Sequence, residues 1–467
     1  MERDGQRTRA GRPPGAATAI GGSVPLLAGL DPALRTALLA IAGAVRAAGG
    51  RALVAGGAVR DARFGLAAND LDVEVFGLDL AALERVAGGV AATQRAGAAF
   101  EVLLVKGLPL ELVLPHREDG GVGVPPDPAG TYAEAIAAAA ARRDFTCNAL
   151  YFDPLSGELL DPHGGCADCA AGRLRHTSAR FTEDPLRVLR GMQLIARFEL
   201  TPAPETVALC RTLSPAGLAP ERVFEEWRKL LLHGIAIGRG LDFLAATGWL
   251  AHFPELRAFA DTAAAADESP AGDLLTRTGR SLDAFARERT GDAREDLVVG
   301  LAVLCHDLGA PAPASDGAAG ATATRSFLGR MTRETALLDE VVPLVRELPR
   351  LLAVAPAPDD AAIRRLARDA GRLDRLLRVA RAVLAGRSPR PFAGFPEGDR
   401  LLARARELGV DRAPPAPLVR GRDLLALGLS PGPEMGRLLA ALYERQLDGE
   451  ITTLEEGLAH ARRERPA

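Results

Sequence analysis

The chain has 467 residues, 48% hydrophobic and 25% charged, which implies a folded protein of roughly two to four domains and excludes a wholly disordered one. A formal net charge of −3 excludes a protein that is basic all over, so any nucleic-acid surface must be a local patch. Five cysteines are too few for a disulfide framework at this length, and no run reaches the ~18 uncharged apolar residues of a membrane helix.

Residues 1–23 are polar and rich in Gly, Arg and Pro, with no long apolar run, so they read as a disordered tail and the cytoplasm is the expected location. Residues 33–48 have the apolar spacing of an amphipathic helix that ends at Gly49-Gly50. A short apolar strand, 52–55, then breaks at Gly56-Gly57. Val59-Arg60-Asp61 opens a helix of about two turns, and a second strand carries Asp70 and Asp72.

Residues two apart on a strand point the same way, so Asp70 and Asp72 present two carboxylates that repel unless a cation lies between them. The paired glycines lack Cβ atoms and admit phosphate oxygens to their backbone N–H groups. Arg60, one helical turn on, can reach the same anion. A Gly-Gly alone is usually a turn, and an Asp-x-Asp alone is usually a solvated strand end. In this order they form a phosphate cradle beside a two-carboxylate metal site, the equipment for phosphoryl or nucleotidyl transfer.

Residues 80–86 read as a helix, 100–105 and 110–114 as strands with a Lys106-Gly107 turn between them, and 131–141 as a helix. Glu111 on the last strand is either a third carboxylate facing the aspartates or an edge-strand glutamate in water. Residues 153–165 read as turn and loop, and the β-rich part ends near residue 175. Cys166 and Cys169 form a single CxxC with no second pair, so they read as small buried residues, not a zinc site.

From residue 182 the chain is almost wholly helical. Asp184, Arg187 and Arg190 lie at i, i+3 and i+6 on one helix face, with Pro185 in the first turn and Leu186, Val188 and Leu189 behind. Asp184 reads as a helix cap, yet a carboxylate beside an arginine can also pair with a nucleobase edge. Further helices are expected over 221–232 and 297–305, with an Ala-rich linker at 262–272 and a mobile Gly/Ala/Pro loop at 310–323. Residues 363–390 read as helical and carry nine Arg against two Asp, either a solvated face or a phosphate contact. A last helical unit places helices near 434–447 and 454–462.

Four motifs in this order, GGAVRD at 56–61, DLD at 70–72, RRDFTCNAL at 142–150 and EDPLRVLR at 183–190, resemble the bacterial-type (class II) tRNA nucleotidyltransferases. That family comprises the CCA-adding enzymes and their poly(A) polymerase relatives, and the likeness covers about residues 26–467. It implies an α+β chain: a small mixed-sheet nucleotidyltransferase head, then an all-helical neck, body and tail. The expected bounds are a tail to residue 25, head 26–175, neck 176–256, body 257–390 and an RNA-binding tail domain 391–467.

The same resemblance implies that Asp70 and Asp72 hold catalytic Mg²⁺, with Glu111 a third catalytic candidate. Gly56, Gly57, Arg60, Arg143 and Asp144 would serve the bound nucleotide, CTP or ATP. Asp184 and Arg187 would read its base edge and Arg190 would add a contact. Gln193 stands where many relatives carry Arg. His306-Asp307-Leu308-Gly309 resembles the centre of HD phosphohydrolases, but the upstream histidine positions read Ser269-Pro270-Ala271-Gly272 and Arg277-Thr278. The body is therefore expected to be a degenerate, metal-free HD-like scaffold.

The resemblance implies addition of C, C and A to the 3′ end of tRNA, with no membrane and no obligatory protein partner. The alternatives are a CC- or A-adding specialist, a poly(A) polymerase, an HD-type phosphohydrolase, or a non-catalytic RNA-binding relative.

Overall fold

The computed structural model describes residues 26–464 apart from 69, 97–101, 117–120, 128, 258, 260–272, 309–316 and 388–389. The expected N-terminal tail, the Ala-rich linker and the first half of the 310–323 loop lie outside the described residues. Two compact units are present, Met1–Arg187 with Leu200–Leu213, and Val188–Glu199 with Ser214–Ala467.

The first unit is built on a seven-stranded sheet of order β3-β4-β5-β2-β1-β6-β7. Its strands are β1 (Arg51–Ala55), β2 (Leu71–Phe76), β3 (Thr93–Ala96), β4 (Val102–Val105), β5 (Leu110–Val113), β6 (Tyr151–Phe152) and β7 (Leu159–Leu160). β2 runs antiparallel to β1 and parallel to β5. On β2, Leu71, Val73 and Val75 are fully buried while Asp72 is exposed, as the alternation of side chains requires. Helix α1 (Pro32–Ala47) starts at Asp31, whose carboxylate accepts from Ala33 N and Leu34 N, and buries Leu34, Leu38, Ile41 and Val45 at helical spacing. The short helix α2 (Gly57–Arg63) follows β1 directly, and α3 (Leu80–Gly88) and α4 (Ala133–Ala141) complete the unit's longer helices. Phe76 is the hub of the core, 6.2 Å from the Tyr132 ring and 6.4 Å from the Tyr151 ring.

Five small elements escaped the sequence pattern. β3 is Thr-Gln-Arg-Ala and exists because it pairs with β4, not because it alternates apolar residues. Within the expected 153–165 loop, β7 pairs with β6, and helix α5 (Gly165–Ala170) follows at once. Arg173–Leu174 pairs in parallel with Thr201–Pro202, so short strands continue past helix α6 (Leu186–Phe198).

The second unit is helical among its described residues. Its centre is Ala293–Cys305, where every residue from Asp296 to Cys305 is buried. Trp227 packs edge-on against Phe253 and Phe327, each 5.6 Å away. The second half of the expected 310–323 loop is instead the start of a helix, Ala318–Gly329, because alanine favours helix and Phe327 and Leu328 anchor it in the core. The stretch 363–390, expected to be helical, is covered by two helices, Asp360–Ala370 and Leu373–Gly386, broken at Gly371-Arg372.

At least seven of the nine arginines in this stretch pair with carboxylates of the protein itself. Arg375 pairs with Glu295 and Glu340, Arg372 with Glu295 and Asp374, and Arg378 with Asp296. Arg365 and Arg368 reach Glu444, Arg364 lies 3.9 Å from Asp360, and Arg381 pairs with Asp399. The balance of nine to two along the chain missed acids that the fold brings in from elsewhere.

Candidate active site

The site begins with two strand pairings. β1 and β5 flank β2, so Asp72 stands opposite Ala55 on one side and opposite Glu111 on the other. Asp70 lies just before β2, and all three carboxylates are exposed. They crowd one another: partial burial, and then the charges of Asp72 and Asp70, push the Glu111 carboxyl above its usual range. The arrangement places Glu111 as a third carboxylate beside the pair. These groups line one wall of a cavity of about 410 Å³, which Gln94 and Lys106 also line.

Among the described residues, no three His, Cys, Asp or Glu side chains already converge as a metal cage. Two oxygen-donor carboxylates nevertheless fit Mg²⁺, which commonly takes one or two carboxylates and completes its shell with water and substrate phosphates. The like-charge conflict at Glu111 is the observation that such a cation would relieve.

On the other side of β2, the turn at Gly56-Gly57 joins β1 to α2. Gly56 has φ +72°, and a Cβ there would stand 2.5 Å from Arg143 Nη1, so only glycine fits both the backbone and the neighbour. Gly56 N donates to Leu150 O, which ties the turn to the RRDFTCNAL segment. Arg60 is 7% exposed and donates to Asp61 Oδ1 and, over 2.6 Å, to Asn148 Oδ1. These bonds turn Arg60 inward, while its Nη2 stays 3.7 Å from the Cβ position at Gly57, close enough to charge the turn.

Arg143 is held by Glu74. Its Nη2 donates to Glu74 Oε1, the Tyr151 hydroxyl donates to Glu74 Oε2, and its guanidinium lies 5.4 Å from the Tyr151 ring centre. Burial and the Glu74 charge raise the Tyr151 hydroxyl above its usual range, so it remains a donor. Asp144 is buried and accepts from Phe145 N and Asn148 Nδ2. It holds the short 3₁₀ turn Thr146–Asn148, not the solvent side of the site.

Asp184 Oδ1 accepts from Leu186 N, so it caps α6 from just outside the helix, and Pro185 also lies before the first helical residue. Arg187 donates to Arg180 O and to Arg142 O, the residue before Arg143. Arg190 lies one helical turn on, half-buried, in the part of α6 assigned to the second unit, as does the buried Gln193.

Three comparisons bear on this geometry. The model described as the poly A polymerase head domain matches residues 52–175, and one described as a probable RNA and SrmB-binding site of polymerase A matches 199–259. A multifunctional CCA protein of Xanthomonas campestris is 33% identical over 83% of this chain and 95% of its own length. The chain belongs to the CCA-adding tRNA nucleotidyltransferase family. The crystal structure of the Bacillus stearothermophilus CCA-adding enzyme in complex with CTP is similar at a TM-score of 0.66 and 25% identity, over 93% of this chain and 99% of that one. The Thermotoga maritima CCA-adding enzyme complexed with tRNA shares the fold, with a TM-score of 0.59 at 19% identity over 94% of this chain and 98% of its own.

Against that family background, sequence reasoning missed Glu74, Asn148 and Tyr151. Glu74 had a signal: it continues the alternation Asp70, Asp72 on β2. Asn148 had none beyond its place in the motif, since its contacts with Arg60 and Asp144 arise from the fold.

In the second unit, His306 Nε2 lies 3.2 Å from Asp307 Oδ2, and His306 Nδ1 lies 2.7 Å from Val303 O. Arg277 Nη2 stands 3.4 Å from the same Asp307 oxygen. Burial alone would raise the Asp307 carboxyl, but His306 and Arg277 together hold it below its usual range.

Proposed function

We propose that Asp70 and Asp72, assisted by Glu111, form the catalytic centre of this enzyme, which adds C, C and A to the 3′ end of tRNA from CTP and ATP. The observation that carries this division of roles is the crowding of three carboxylates along β2 and β5, beside a glycine turn backed by Arg60 and Arg143. Asp70 and Asp72 would hold Mg²⁺, which when bound supplies Lewis-acid stabilisation of charge on the reacting phosphate and hydroxyl oxygens. The family is generally dependent on a divalent metal, and the hard oxygen donors here favour Mg²⁺.

The protein's own residues do the positioning. The Gly56-Gly57 turn offers the triphosphate close backbone approach. Arg60 and Arg143 lay positive charge beside that turn, Arg60 through its field and Arg143 at the sugar and phosphates. Glu74 and Tyr151 fix Arg143, and Asp144 and Asn148 fix the 3₁₀ turn behind both. Asp184 and Arg187 would read the base edge, with Arg190 as a further contact, which gives C and A selectivity without a nucleic-acid template. In the body, Arg277 places a cation on Asp307, which supports an HD-like scaffold without phosphohydrolase chemistry. Neck, body and tail would carry the tRNA, and the cytoplasm follows as the place where that substrate is found.

The test is incorporation of labelled CTP and ATP, singly and together with Mg²⁺, into tRNA transcripts lacking CCA, CA or A. Addition that stops at one full CCA is the expected result. Use of one nucleotide type alone would instead mark a CC- or A-adding specialist, and long A tails a poly(A) polymerase.

A further inference from the structure

Of the chain's 57 lysines and arginines, only Lys106 and Lys229 are lysines. Lys229 lies on a helix of the second unit and pairs with Glu225 and Glu226. Lys106 is exposed in the turn between β4 and β5, and among the described residues it forms no ion pair. Gln94, exposed on β3, likewise has no hydrogen-bond partner for its amide among the described residues. Its neighbour Arg95, by contrast, is engaged by Glu84. Both Lys106 and Gln94 line the cavity at the catalytic carboxylates, and neither has a part in the site described above.

The strand registers set these residues in one row. Asp72 stands opposite Glu111, Glu111 opposite Leu104, and Leu104 opposite Gln94. Opposed residues point to the same face of a sheet, so the row reads carboxylate, carboxylate, apolar side chain, amide. At about 4.8 Å per strand it runs about 14 Å along the backbone from Asp72 to Gln94. The opposite face of these strands is core, with Leu103, Val105, Leu110 and Leu112 buried. On the row's own face Leu104 is half-buried, and the next row adds Val113 opposite Val102, both half-buried. Lys106 follows two residues after Leu104, at the edge of this apolar floor.

Nucleotidyl transfer brings two substrates to one pair of carboxylates, the triphosphate and the hydroxyl that attacks it. The Gly56-Gly57 turn stands on the β1 side of Asp72, and the row leaves on the β5 side. With the triphosphate at the glycine turn, the β5 side is where the acceptor fits. We propose that Leu104, Lys106 and Gln94 seat the last nucleotide of the tRNA 3′ end and so present its hydroxyl to Asp70 and Asp72. Leu104 lies under the nucleoside, Lys106 pairs with the phosphate on its 5′ side, and Gln94 meets its base edge. This chemistry suits an end whose last base changes at each addition. A phosphate contact and an apolar floor carry no sequence information, and an amide offers both a donor and an acceptor. Lysine also fits the place better than arginine. Its ammonium on a flexible stem can follow a moving phosphate, whereas a guanidinium fork would be drawn into a bidentate pair with a neighbouring carboxylate.

This inference rests on the reading of Asp70 and Asp72 as the metal site. The experiment uses the full chain with Mg²⁺, CTP and tRNA transcripts that lack CCA, and compares wild type with Lys106→Ala and Gln94→Ala. Lys106→Ala should raise the KM for tRNA roughly tenfold, as for one charge-assisted bond, and leave the KM for CTP within about twofold. The slope of log KM for tRNA against log salt should fall by about 0.7, the share of one phosphate of a single strand. Gln94→Ala should act in the same direction by about threefold, as for one ordinary hydrogen bond. KM does not depend on the fraction of enzyme folded, so a loss of stability would not imitate these results. A second acceptor carries an uncharged methylphosphonate at its last phosphodiester. It should bind wild type more weakly and Lys106→Ala no more weakly than the unmodified acceptor. An unchanged KM for tRNA, an equal rise in the KM for CTP, or an equal methylphosphonate penalty in both proteins would overturn the proposal and leave the carboxylate reading intact. A wild type that incorporates nothing would overturn that reading and the acceptor seat with it.

Discussion

Two charge clusters, one in each unit, work in opposite ways. In the helical unit one network is matched: Glu295 and Glu340 share Arg375, Arg372 bridges Glu295 and Asp374, and Arg378 lies on Asp296. In the sheet unit, Asp70, Asp72 and Glu111 gather like charges at one place, and Glu111 is raised by partial burial and then by the two aspartates. Matched charge is a structural device, because its partners are supplied by the fold. Like charge gathered in one place is costly, and is kept where a cation or a substrate completes it.

The comparison is tested most severely at Asp72. If its charge serves chemistry alone, Asp72→Ala should reduce CTP incorporation by at least ~10³-fold, the scale of losing a metal-centred electrostatic effect. Thermal stability should hold or rise as repulsion is relieved, and tRNA binding should change little. Residual turnover comparable with wild type would end the metal assignment.

Glu74, on the same strand as Asp72, is by contrast a paired carboxylate. Glu74→Gln keeps the shape but removes the charge that holds Arg143, and should raise the KM for CTP and ATP roughly 10- to 100-fold, in line with losing a charge-assisted bond of about 1.5–3 kcal/mol. An unaltered KM would mean that Arg143 is placed by Tyr151 and the Asn148 carbonyl alone. In the helical unit the converse holds. Arg375 is buried, and Arg375→Ala leaves Glu295 and Glu340 without their shared cation. Unfolding by denaturant should show a loss of about 3 kcal/mol, while incorporation per folded molecule stays at the wild-type rate. A selective loss of turnover at full stability would show that this network serves RNA after all.

How much was legible follows the same line. The cradle and the carboxylates could be read because strand alternation and a Gly-Gly break are local facts, true of residues 52–76 wherever they sit. The long helices 32–47 and 433–448 could be read because each keeps one apolar face, and 293–305 because it is apolar nearly all round. Partnership between distant segments could not. Arg375 meets Glu295 across 80 positions and Arg60 meets Asn148 across 88, so counting charges within a window made a basic stretch out of a neutral network. The same limit hid β3 and β7, which are strands only by virtue of their neighbours, and hid the register that sets Glu111 opposite Asp72.

The smallest expected effect is on pH dependence, and it separates the two clusters by sign. Glu295 is drawn down to about 2 by the hydrogen bond and charge of Arg375, with Arg372 adding to both. A depressed carboxyl contributes stability that is fully present above its unfolded value, about 4.5, and is lost as pH falls from there toward 2. Glu111 is raised instead, so it takes up its proton at a higher pH than an ordinary glutamate, and a bound cation must displace that proton. Lowering the pH from about 7 to about 5 should therefore raise the Mg²⁺ concentration needed for half-maximal incorporation while leaving the melting temperature nearly unchanged. Glu111→Gln should flatten that rise, because the amide has no proton to give up. If the metal requirement of wild type and Glu111→Gln shifts equally with pH, Glu111 lies outside the cation's reach, and the aspartates alone carry the site.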